Sequence, residues 1–138
     1  MQQTYTNHTK KIALHLWMLL FSFSLYSGDL NIIPKPVKAE RKSGYFTIDP
    51  TTRVVYNQEK IAYLSDFLND FLRENFAVTL PQQTASTGAS GTVSFLLDPE
   101  VDDESYHVTI TSQAITVTGG EAGLFYGLQT LKQLISPD

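Results

Sequence analysis

Leu124, Leu128, Leu131 and Ile135 recur at i, i+4, i+7 and i+11, the spacing of one face of an α-helix. Phe125 and Leu134 widen that stripe, so a helix is predicted over residues 121–135 with Gln129, Lys132 and Gln133 elsewhere on its surface. Burying these six apolar side chains offers roughly 10–18 kcal/mol of gross stabilisation. A helix this short is marginal alone, so the stripe needs a cover. Gly123 and Gly127 lie four apart on one side of the first turns. Each costs about 1 kcal/mol against alanine, and the pair is expected to bring the helix backbone close to a sheet.

A second amphipathic pattern runs through Ile61, Leu64, Phe67, Leu68, Phe71 and Leu72 to about Phe76. Asn57 is its candidate N-cap, and Glu59 stands in the first turn, where the helix dipole favours it. Asp66, Asp70 and Glu74 fall on the solvated side.

Between and before these helices the pattern is extended. Pro34 and Pro36 hold residues 31–37 in β or polyproline geometry. Residues 38–42 fit an edge strand, Ser43-Gly44 a turn, and residues 45–48 the returning strand. Asp49-Pro50 is a turn before a short β-branched strand at 53–56. Residues 78–80 read as a strand ended by Pro81, and 82–91 (QQTASTGASG) as a polar loop. Residues 92–97 read as a buried strand. Residues 98–103 form an acidic turn, and 104–110 with 114–117 a β-hairpin. In that hairpin Tyr106, Val108 and Ile110 share one face and His107 the other. The simplest packing is an α+β two-layer sandwich of about 110 residues, one mixed β-sheet with both helices on one face.

The first 28 residues stand apart. Lys10 and Lys11 precede a mostly apolar run at 12–26, then small residues at Ser27 and Gly28, the pattern of a secretory signal peptide. The run falls short of the ~20 residues of a membrane span, and His15 interrupts it. The expected organisation is a signal over 1–28 and one domain over 29–138, secreted, periplasmic or on the cell surface, with no membrane span after cleavage. Without cysteine, export brings no disulfides. The mature segment holds eight basic and 14 acidic residues, net −6, a poor balance for nucleic acid. The sequon at Asn7-His8-Thr9 falls inside the signal.

Candidate chemistry is sparse. His8, His15 and Trp17 leave with the signal, so His107 is the one mature histidine and a two-His metal site or HExxH helix is impossible within this chain. No GxSxG elbow accompanies it, and a surface or packing role is expected. Asp102, Asp103 and Glu104, with Asp98 and Glu100 nearby, could in principle supply paired carboxylates or a Ca²⁺ site. Adjacent strand residues point apart and EF-hand spacing is absent, which favours a solvated acidic turn. Gly119, Gly120 and Gly123 resemble a phosphate loop in outline, but the GGEAG spacing is wrong and Glu121 would repel a phosphate. Tyr45, Tyr56, Tyr63, Tyr106 and Tyr126 include possible sugar-stacking rings, with core or rim packing the expected role of most.

Three stretches in order, NIIPKPVKAERKSGYFTI (31–48), ESYHVTITSQAITVTG (104–119) and GLFYGLQTLKQLI (123–135), resemble the N-terminal accessory domain of glycoside hydrolase family 20 β-N-acetylhexosaminidases. The signal directly before the domain is similar to Bacteroides-like members. The resemblance implies a sheet covered by two helices and a catalytic (β/α)₈ barrel after residues 133–135 as partner. On that barrel an acidic residue protonates the leaving oxygen while the substrate's 2-acetamido group attacks, releasing terminal N-acetylglucosamine or N-acetylgalactosamine. The family's Asp-Glu pair lies on the barrel, and Asp103-Glu104 corresponds instead to the acidic start of an accessory-domain strand. No catalytic, cofactor-binding or metal-ligating residue is therefore assigned here. The YG-x-Q-T helix is also similar to family 84 glycosidases, and a stand-alone glycan-binding or partner-binding domain is the alternative outside the enzymes.

Overall fold

The computed structural model describes residues 31–85 and 89–136, so the expected signal lies outside the described residues. Its elements are β1 (Arg53–Tyr56), a 3₁₀ turn (Glu59–Ile61), α1 (Tyr63–Phe76), β2 (Gln82–Thr84), β3 (Thr92–Leu97), β4 (Tyr106–Ile110), β5 (Ala114–Gly119) and α2 (Glu121–Leu134). One five-stranded sheet runs in the order β2-β1-β3-β5-β4. β2, β1, β3 and β5 are parallel neighbours, and β4 joins β5 antiparallel. The sheet is mixed, and the two helices form the second layer, as the hydrophobic pattern predicts.

Strand register assembles the core. Val54, Val93 and Ile115 align in one row across the sheet, and Tyr56, Phe95, Val117 and Val108 in the next. Leu64, Leu68 and Leu72 of α1 and Leu124, Leu128 and Leu131 of α2 close over these rows, all fully buried. Gly123 and Gly127 sit where predicted, against the hairpin. A Cβ on Gly123 would overlap the Ser105 carbonyl oxygen and lie 2.6 Å from its carbon, and one on Gly127 would lie 2.5 Å from Val117 Cγ1.

Three side-chain amides tie distant segments together, each bonding the N–H and C=O of one residue. Asn57 accepts from the Leu97 N–H (2.8 Å) and donates to its carbonyl (3.0 Å). Asn69, buried on α1, does the same for Leu80 at 2.8 and 3.0 Å. Gln133 holds both backbone groups of Ile33 at 2.9 Å, fastening residue 33 to the last turn of α2.

Several expectations are corrected. Residues 38–42 and 45–48 form no strand; Phe46 and Ile48 pack against the core without ladder bonds. Asn57 is not a helix cap, because its amide is taken by Leu97 and the helical segment opens with the 3₁₀ turn after Gln58. The strand expected at 78–80 begins at Gln82 instead, inside the polar stretch read as loop. Its three side chains are all exposed, so backbone pairing with β1 alone makes it a strand. Among the described residues no helix is long and apolar enough to cross a membrane.

Candidate functional site

The acidic turn and the glycine loop meet, and they satisfy each other. Asp103 Oδ1 accepts from the Glu121 N–H (3.1 Å) and the Ala122 N–H (3.4 Å), while its backbone carbonyl accepts from the Gly123 N–H (2.7 Å). The free amides of the α2 N-terminus, which could have cradled an anion, are thus occupied by a carboxylate from 18 residues upstream. Asp98 caps its own turn through the Glu100 N–H, 2.9 Å away. Among the described residues no group of three or more His, Asp or Glu side chains gathers to hold a metal. Asp103→Ala should cost about 1–2 kcal/mol, the usual worth of an N-cap, read as a lower urea midpoint at unchanged m-value.

His107 lies exposed on edge strand β4, on the side of the sheet away from the helices. The tyrosines do not form one surface. Tyr45 projects from the N-terminal segment, and the Tyr106 hydroxyl shares a 2.9 Å hydrogen bond with Thr130 between sheet and helix. Tyr56 continues a core row beside Phe95. Only Tyr63 and Tyr126 belong to a common cluster, and they reach it through two phenylalanines.

That cluster is the distinctive surface of the domain. Leu64, Leu68 and Leu72 point inward from α1, while Tyr63, Phe67 and Phe71, one position earlier each, stand about 100° around the helix. Tyr63 meets Phe67 edge-to-face at 5.7 Å. Phe67 reaches across to Phe125 of α2 at 6.2 Å, and Phe125 meets Tyr126 at 6.2 Å. Phe67, Phe125 and Tyr126 are 42, 36 and 45% exposed, far more than apolar side chains of the core. The sequence pattern assigns Phe67 and Phe125 to the buried stripes; they flank them instead. Lys60 and Glu121 pair at 2.8 Å beside the ridge, and Asp70 and Arg73 at 2.6 Å further along α1. Desolvation, aided by the nearby Glu121 and Asp103 carboxylates, holds the Tyr63 hydroxyl above its ordinary pKa. The four side chains of the ridge are all aromatic, with no acidic or basic side chain among them.

Residues 29–138 match the family model described as glycosyl hydrolase family 20, domain 2. The chain belongs to glycoside hydrolase family 20. It is that family's N-terminal accessory domain, and this places the YG-x-Q-T helix in family 20 rather than family 84. A β-hexosaminidase of Porphyromonas gingivalis is 26% identical over 113 residues, covering 80% of this chain and 14% of its own length. The solved GH20 β-N-acetylhexosaminidase of Streptomyces coelicolor A3(2) superposes with a TM-score of 0.65 at 31% identity, over 76% of this chain and 21% of that one. The fold also matches the β-N-acetylhexosaminidase of Bacteroides fragilis, at a TM-score of 0.56 and 21% identity, over 74% of this chain and 20% of that one. The accessory domain thus spans about a fifth of the length of these solved relatives.

Proposed function

We propose that this accessory domain is the non-catalytic N-terminal part of a secreted β-N-acetylhexosaminidase acting on terminal N-acetylglucosamine or N-acetylgalactosamine residues. Its partner is a catalytic barrel following residue 135 in the same polypeptide. The observation carrying this reading is that a domain 2 match fills residues 29–138 while spanning only 14% of one named hexosaminidase and 21% of another. Export is supported by Lys10-Lys11 followed by the apolar run at 12–26. Use of the Asp103 carboxylate as a helix cap fits a scaffold role, since a general acid must be free to give up a proton.

The test is turnover of a chromogenic N-acetylglucosaminide by two proteins. One is the 138-residue chain, and the other is the product of its reading frame followed through the codon of Asp138. The chain alone is expected to stay at the uncatalysed rate and the longer product to hydrolyse the substrate. Turnover by the chain alone would overturn the proposal.

A further inference from the structure

We propose that the basic stretch at residues 35–42, together with Val37 and Tyr45, docks this domain on a bilayer that carries anionic phospholipid. Such docking goes beyond the hexosaminidase reading and needs no catalytic domain. Residues 34–45 are pinned at both ends. On one side Ile32 is buried and Gln133 holds both backbone groups of Ile33 at 2.9 Å. On the other, Phe46 and Ile48 pack against the core. Between the pins the chain forms neither strand nor helix. A cleft of about 1230 Å³ lies between it and β4, so the segment is held at its ends and displayed along its middle.

The middle of the segment is basic and apolar at once. Lys35, Lys38, Arg41 and Lys42 are all exposed, and Glu40, the one acid among them, is paired with Lys38 at 3.1 Å. Residues 35–42 are net +3, whereas the remainder of residues 29–138 is net −9. That asymmetry turns this stretch toward an anionic surface and the rest of the domain away from it. Each Lys or Arg brought within a Debye length of such a surface strengthens binding by about fivefold. Among these charges Val37 is fully exposed and Tyr45 is 75% exposed. Basic side chains interleaved with apolar ones are the chemistry of an interfacial anchor. The tyrosine ring sits at the headgroup level, and lysine stems lie along the apolar boundary with their ammonium groups in water. A polyanionic glycan has no use for Val37 standing among the charges. An acidic protein needs a fixed complementary face, and residues 34–45 offer it neither a strand edge nor a helix face.

The test is vesicle sedimentation of two proteins, the chain from residue 29, which contains every described residue, and the product of its full reading frame from the same start. Both are expected to sediment with phosphatidylcholine vesicles containing about 30% phosphatidylglycerol, and neither with phosphatidylcholine alone. Raising the salt from about 0.05 to 0.5 M should weaken binding at least tenfold. Lys38→Gln, Arg41→Gln and Lys42→Gln together should weaken it roughly 100-fold. All three side chains are exposed, so the thermal midpoint should stay within a few degrees, which controls for folding. Tyr45→Trp places a lone indole in the chain from residue 29, because Trp17 lies before it. Its emission should shift to the blue on the anionic vesicles and be quenched by lipid brominated on the acyl chain. Equal binding to both vesicle types, full binding by the triple variant, or an indole that stays in water would overturn the proposal. So would tighter binding to polygalacturonate than to the vesicles, or self-association that the triple variant abolishes. Binding by the short chain that the longer product lacks would overturn it as well. Hexosaminidase turnover is read separately, so the two proposals fail independently.

Discussion

Gly123→Ala is expected to destabilise the domain by about 3 kcal/mol or more, although helix propensity alone favours alanine by about 1 kcal/mol. The reason lies outside the helix. A methyl at this position would occupy the space of the Ser105 carbonyl, and that carbonyl is already fixed by the Gly120 N–H at 3.0 Å. Moving the helix away would also pull the Gly123 N–H from the Asp103 carbonyl and loosen the Asp103 cap. Backbone cannot change rotamer, so the strain spreads into the hairpin–helix junction. At roughly 4–8 °C per kcal/mol for a domain near this size, the midpoint should fall by about 12 °C or more. Gly127→Ala should cost less, because its obstacles are side-chain atoms, a Val117 methyl at 2.5 Å and the Tyr106 ring at 3.2 Å, rather than main chain. Thermal unfolding of both variants beside Gln129→Ala checks the ordering. A Gly123→Ala variant as stable as its parent would show that the close approach is not a constraint.

This junction illustrates what periodicity reveals and what it hides. Two glycines four apart on a leucine-striped helix already signal close packing on a sheet, and the hairpin before them reads from its alternation. The cap does not. A search for a capping residue looks at the position before the helix, which is Gly120, whereas the carboxylate arrives from Asp103 in a different loop. The acidic cluster that invites a catalytic or calcium reading is explained only once the fold brings those segments together.

The ridge was hidden for a related reason. Leucines 64, 68 and 72 and aromatics 63, 67 and 71 form two stripes side by side on α1, and a hydrophobicity pattern merges them into one wide face. The packing of α2 decides which stripe goes inside, and it leaves Phe67 and Phe125 touching each other on the outside. Strand β2 is the opposite case. Its QQT side chains carry no apolar signal, and only main-chain pairing with Val54, Val55 and Tyr56 defines it. Phe46 and Ile48 alternate as a strand would, yet they reach the core without any partner strand. Where side-chain burial and ladder bonding coincide, as in β3, the pattern predicts the element; where they separate, it misleads.

Asn69→Asp should make the stability deficit of the domain depend on pH in the direction opposite to a salt-bridged carboxylate. Asn69 is buried and serves Leu80 twice, its Nδ2 donating to the carbonyl and its Oδ1 accepting from the N–H. An ionised aspartate keeps the second bond but turns an oxygen toward the Leu80 carbonyl, with no proton between them. Burial and that repulsion both disfavour the charge, so the folded pKa of the introduced carboxyl rises above its unfolded value of about 3.9. Below pH ~3.9 the carboxyl is neutral in both states, its O–H can replace the lost donor, and the deficit against the parent should be about 1 kcal/mol. As pH climbs through the raised folded pKa the deficit grows, reaching about 3–5 kcal/mol near pH 7, the cost of an uncompensated buried charge. Asn69→Ala, with nothing to titrate, should lose about 2–4 kcal/mol at every pH by leaving both Leu80 groups unpaired. Urea unfolding of parent and both variants between pH 3.5 and 7.5 separates these outcomes. A constant difference for Asn69→Asp would mean that water, not the side chain, satisfies Leu80. The turn that carries the chain from α1 into β2 would then be held by the burial of the Leu80 side chain alone.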